Sequence, residues 1–81
     1  MNKNRLKAKI LEFGDTQADL AKAIGISLSN LNAKINGKID FRQNEIGYIR
    51  DRYHLNPVEV AEIFFAEKVS ELDAFKGENE E

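Results

Sequence analysis

Residues 17–37 read QADLAKAIGISLSNLNAKING. Leu20, Ala21 and Ile24 recur at helical spacing before Gly25, and Leu31 and Ile35 stand four residues apart after it. A glycine between two such patterns supplies the left-handed backbone that stops the first helix without the penalty a β-carbon brings. Ser27 then offers a hydroxyl cap for the second. The far side of that second helix carries Ser29, Asn30, Ala33 and Asn36. A helix built only for the core does not need that choice, and a solvated one more often carries Lys and Glu.

The same periodicity runs outward in both directions. Upstream, Leu6, Ile10 and Phe13 share one face of a first helix, which Gly14 ends. Thr16 and Asp19 form a capping box for the second helix, with Asp in place of the usual Glu. Downstream, Asn36-Gly37 is a strong turn pair that stops the third helix. Asp40 followed by Gln43 reads as the cap of a fourth, with Phe41, Ile46, Ile49 and Tyr53 inward. Asn56-Pro57 opens a fifth, with Asn as cap, Pro at the first position and Glu59 in the first turn. Val60, Ile63 and Phe64 close the core over it. No alternating strand pattern of useful length interrupts the series, so the predicted class is all-α with five short helices. Beyond them Phe65, Val69, Leu72 and Phe75 continue the helical spacing as an amphipathic arm over 67–76. The arm either extends helix five or folds back after a kink. Residues 77–81, GENEE, form an acidic frayed tail. The domain itself is expected over residues 1–66.

Bulk composition narrows the function. The chain has 81 residues, one small domain's worth. It contains no cysteine, which excludes disulfides and thiolate metal sites, and its single histidine, His54, leaves little for a zinc site. His54 falls at the end of helix four, where a cation suits the helix dipole. No apolar run approaches the roughly 20 residues of a membrane helix, and MNKNRLKAKI lacks the apolar stretch of a signal peptide. A cytoplasmic protein without membrane contact is expected. The net charge of −2 conceals a split: residues 1–42 hold eight basic and four acidic side chains, residues 43–81 four and ten. A basic half can serve as an electrostatic footprint for phosphate while the acidic half faces away. Arg50 and Arg52 are expected to be solvated or paired with Asp51 and Glu45. No nucleophile–base pair, glycine-rich phosphate loop or carboxylate pocket is visible, so neither an enzyme nor a small-molecule substrate or cofactor is implied.

Two short helices about a glycine turn, with Ala21 small enough for a close crossing and Ile26 plugging the gap, describe a helix-turn-helix. Gln17, Ala21, Gly25, Ile26, Ser27, Leu31 and the Asn36-Gly37-Lys38 run resemble the lambda-repressor and Cro type of DNA-binding domain, the XRE family. The likeness covers roughly residues 3 to 65, with the motif at 17–37. The later IFFAEK stretch also looks like short phage-encoded members. The resemblance implies a transcriptional repressor that binds a double-stranded operator as a homodimer, its third helix (about 27–36) lying in the major groove.

The positions then acquire roles. Gln17 begins helix two, where its amide and the helix N-terminal N–H groups can meet a phosphate. By resemblance Asn36 and Lys38 meet phosphates at the other edge, and Thr16 adds a hydroxyl. Leu28, Ser29 and Asn30 lead helix three into the groove, with Asn32 and Ala33 one turn on. Small and amide side chains allow close approach to base edges while offering donors and acceptors. Leu28 suits a thymine methyl, or packs, since it falls near the Leu31/Ile35 side. One departure stands out: many family members bury the residue at the position of Lys34, and here Ile35 takes that place, which predicts a third helix turned about its axis. Two alternatives stay open. The arm from Phe65 to Phe75 packs on helix one or forms the dimer interface, and the chain as a whole is a DNA regulator or a protein-interaction module such as an antirepressor or antitoxin-like partner.

Overall fold

A computed structural model describes residues 1–65. They form five α-helices: α1 Lys3–Glu12, α2 Gln17–Ile24, α3 Leu28–Ile35, α4 Gln43–Arg52 and α5 Pro57–Phe64. No strand occurs among the described residues, and the all-α class holds. The amphipathic arm expected over 67–76 and the tail over 77–81 lie outside them.

Four of the five helix starts are fixed by side chains that satisfy otherwise orphaned N–H groups. Asn2 Oδ1 accepts from the Arg5 N–H at 3.2 Å, and Ser27 Oγ from that of Asn30 at 3.0 Å. Thr16 and Asp19 exchange bonds of 2.9 and 3.0 Å; Asn56 and Glu59 exchange bonds of 3.0 and 2.8 Å, with Pro57 at the first helical position. The fourth start differs from the sequence reading. Asp40 is not its cap: α4 begins after Arg42, whose N–H donates to Glu45 Oε1 at 2.9 Å. An arginine side chain has no acceptor, so this cap is one-sided. Phe41 explains the late start, because it is held outside the helix by an edge-on contact with Phe64 at 5.3 Å between ring centroids.

The core gathers Leu6, Ile10, Leu20, Ala21, Leu31, Ile35, Ile49, Tyr53, Leu55, Ile63 and Phe64, with Ile24, Ile26, Phe41, Ile46 and Val60 packed against it. Phe13 departs from its expected burial: it follows α1, remains 41% exposed, and lies edge-on to Tyr53 at 5.2 Å. Helix α5 runs antiparallel to α1. The Asn2 N–H donates to the Ile63 carbonyl at 2.8 Å, and Arg5–Glu62 and Lys9–Glu59 pair at 3.0 Å each. Arg50 pairs with its neighbour Asp51 as expected. Arg52 does not; it reaches Asp15 in the α1–α2 loop with Nε at 2.8 Å and Nη2 at 3.2 Å. The Tyr53 hydroxyl donates to the same carboxylate at 2.8 Å. Arg52 and Tyr53 hold the Asp15 carboxyl below its ordinary range.

Candidate nucleic-acid interface

Helix α2 ends where the sequence places its stop. Gly25 has φ +93°, and the N–H groups of Gly25 and Ile26 both donate to the Ala21 carbonyl, at 2.9 and 3.0 Å. Beyond Gly25 and its two chain neighbours no atom lies within 4 Å of where its β-carbon would stand, so the dihedral, and not space, demands glycine. Ile26 is half-buried against the core and Ala21 is buried. Only Gly25, Ile26 and Ser27 separate the two helices, and Ser27 caps the next one directly. At the far end of α3 the pattern repeats: Gly37 has φ +82°, and Lys38 and Ile39 N–H groups donate to the Ala33 carbonyl at 2.9 and 3.3 Å.

Between these stops α3 has two unlike faces. Leu31, Lys34 and Ile35 are buried. Ser29, Asn32 and Asn36 are exposed, Leu28 is 44% exposed, and Ala33 is half-buried. Leu28 therefore sits with the outward set and not in the packing. Asn30 falls between the faces: it is half-buried, and its side-chain oxygen is shut off from solvent without a hydrogen-bond partner. That oxygen is not on offer to a ligand approaching the outer face.

Lys34 corrects the sequence reading most. It is 4% exposed and occupies the middle of the inward face alongside Ile35, so the helix is not turned to release it. Its Nζ donates to Glu45 Oε1 and Oε2 at 2.5 and 2.7 Å. Burial alone would push the Glu45 carboxyl up, but the Lys34 ammonium and the Arg42 N–H together bring it below its ordinary value. The pair joins α3 to the first turn of α4. Sequence reasoning missed it because Lys34 was counted among the basic groups facing solvent. The signal lay in spacing: Leu31, Lys34 and Ile35 fall on one helical stripe.

The other proposed contacts lie at the two ends of the α2–α3 unit. Thr16 is exposed, with its oxygen already accepting from the Asp19 N–H. Gln17 is half-buried at the first position of α2. Asp19 places a carboxylate at that same helix start, which partly offsets the positive end of the dipole that would attract an anion. Asn36 and Lys38 are both exposed beyond α3. Of the basic side chains in residues 1–42, Arg5, Lys9 and Lys34 are engaged by carboxylates of α4 and α5, while Lys22, Lys38 and Arg42 stand exposed. Among the described residues no three His, Asp or Glu side chains come together to hold a metal, and no helix is long and apolar enough to cross a membrane.

A family model described as a protein of unknown function, DUF739, matches residues 2–67. No curated protein matches the chain, and no solved structure does.

Proposed function

The chain belongs to the DUF739 family, and we propose that it is a cytoplasmic, sequence-specific regulator of transcription that binds duplex DNA through a helix-turn-helix formed by α2 and α3. In this reading it acts as a phage-type, Cro-like repressor and meets its operator as a homodimer. One observation carries the reading: Ser29, Asn32 and the C-cap Asn36 stand exposed along one side of α3, with Leu28 exposed at its N-terminal tip, while Leu31, Lys34 and Ile35 are buried. Short hydroxyl and amide side chains on a firmly seated helix suit base edges in a major groove. Leu28 contributes a contact for a thymine methyl, Ser29 and Asn32 the hydrogen bonds, and Ala33 the close approach. Thr16, Gln17, Asn36 and Lys38 position the unit on phosphates. Asn30 has a lesser part than its place in the sequence suggests, because its oxygen faces inward. Repression follows sterically when the operator overlaps a promoter.

Selection of bound duplexes from a random pool tests this. The expected result is a two-fold symmetric motif, bound with an affinity that falls as salt rises, with a log–log slope of about −0.9 per phosphate contact. Within such a motif Asn32→Ala should cost about 1–3 kcal/mol of discrimination at one base position. Gln17→Ala should weaken all duplexes alike. Recovery of no motif, with no salt-sensitive binding to any duplex, would overturn the reading and favour a protein-interaction module.

A further inference from the structure

Helix α4 grips the α2–α3 unit at both ends. Glu45 and Arg52 stand seven residues apart, about two turns, and so share one face of α4 with buried Ile49 between them. From the first turn Glu45 holds Lys34 of α3. From the last, about 10 Å further along the axis, Arg52 holds Asp15, the residue before the Thr16 cap of α2. Each charge on α4 also suits the end of the helix dipole at which it stands. The two grips differ in stiffness. At the Lys34–Glu45 pair the side chains are 4% and 6% exposed, and Glu45 Oε1 accepts from the Arg42 N–H as well, which ties α3 to the backbone that starts α4. At the Arg52–Asp15 pair they are 31% and 16% exposed. There the Tyr48 hydroxyl accepts from Arg52 Nη1 at 3.1 Å, and the Tyr53 hydroxyl donates to Asp15.

We propose that α4 is a positioning bracket for DNA recognition: the Lys34–Glu45 pair fixes the rotation of α3 about its own axis, and the Asp15–Arg52 pair fixes where α2 presents Thr16 and Gln17. This rests on the reading of α2 and α3 as the DNA-contacting unit, and it adds four positioning residues that need no contact with DNA. Apolar packing through Leu31 and Ile35 resists separation of the helices but has no direction of its own. Two hydrogen bonds from one buried ammonium to both oxygens of one carboxylate do have a direction. The margin is narrow. On a helix about 5–6 Å in radius, a rotation of about 10° moves a side-chain tip by about 1 Å. Hydrogen bonds to a base edge tolerate about half of that. Ser29 and Asn32 therefore depend on Lys34, although it lies on the buried side of α3.

Lys34→Met with Glu45→Leu removes the direction and keeps most of the volume. While it still melts cooperatively, this double variant should bind a random duplex about as well as the wild type does. Its preference for the duplex that the wild type selects, over one with a single base pair changed, should fall about tenfold. Arg52→Met should do the converse, weakening selected and random duplexes several-fold alike with the preference unchanged. Should the double variant not fold, Glu45→Gln, which keeps an acceptor for the Arg42 N–H, takes its place with the same expectation. A folded variant with the wild-type preference would overturn the bracket and leave the DNA reading standing. Loss of preference in Arg52→Met would overturn the division of labour between the two grips. A wild type that prefers no duplex would overturn the DNA reading, and the bracket with it.

Discussion

The two junctions that flank α3 are built from different materials. The α2–α3 turn is held by neighbours in sequence: Gly25 and Ile26 with the Ala21 carbonyl, Ser27 with Asn30. The α3–α4 junction is held from a distance, by Lys34 and Glu45 eleven residues apart and by Phe41 lying against Phe64. At the first, each contact joins residues no more than five apart in sequence, so single changes should have bounded costs. At the second, two charges have been taken out of water together, and neither is tolerable alone.

The contrast is sharpest at Lys34. Lys34→Met should destabilise the fold by about 3–5 kcal/mol, because it strands the Glu45 carboxylate in a buried site. Adding Glu45→Leu should recover most of that loss, as buried pairs replaced by apolar residues of similar size often prove neutral. Urea titration of the wild type and the two variants decides this; equal stability of the single and double variants would break the comparison. Acid attacks the same junction. The Glu45 carboxyl is depressed from 4.5 in the folded state, so its contribution is present above that value and is lost as pH falls through the lower, folded one. The Asp15 and Glu59 carboxyls, depressed by Arg52 and by the Asn56 N–H respectively, act in the same direction. Unfolding midpoints should therefore drop below about pH 4.5. The double variant should show a shallower drop than the wild type.

At the local junction the effects are smaller. Gly25→Val should cost about 1–2 kcal/mol through the left-handed dihedral alone, while Gly25→Asn, which visits that region more readily, should cost less. Thermal melts that rank the two in the opposite order would show that space, and not conformation, sets the requirement. Ser27→Ala should cost about 1 kcal/mol as a lost cap. Asp40→Ala should stay within about 0.5 kcal/mol, as an exposed loop residue that caps nothing. A larger cost at Asp40 than at Ser27 would return the start of α4 to where the sequence places it.

The same division explains what could be read before any coordinates. Helix existence, order and three of the five starts, at Thr16, Ser27 and Asn56, follow from signals three or four residues long and are legible in the sequence; the Asn2 cap of α1 is not part of that reading. Gly25 and Gly37 announce themselves because little else adopts a positive φ. The start of α4 was misjudged because its position depends on Phe41 meeting Phe64, a contact that local rules do not contain. Lys34 was misjudged for a related reason: a lysine on an apolar stripe reads as solvated until its partner is found across the fold. For the proposed site, the outward character of Ser29, Asn32 and Asn36 follows directly from helical phase, and it could be anticipated. Asn30 and Leu28 lie at the margins of the stripe, where a few degrees of rotation exchange burial for exposure, and helical phase could not settle them.

The hydrogen bond from Asn2 to Ile63 has a consequence for biosynthesis. The first helix packs on α2 but draws its backbone bond and two ion pairs from the last helix of the described domain, so a ribosome must deliver almost the entire bundle before those contacts can form. Nascent chains arrested with Ile63 still inside the exit tunnel should be digested readily by protease, and chains arrested well after it should resist; equal digestion at both lengths would show that the earlier helices assemble without waiting for the fifth.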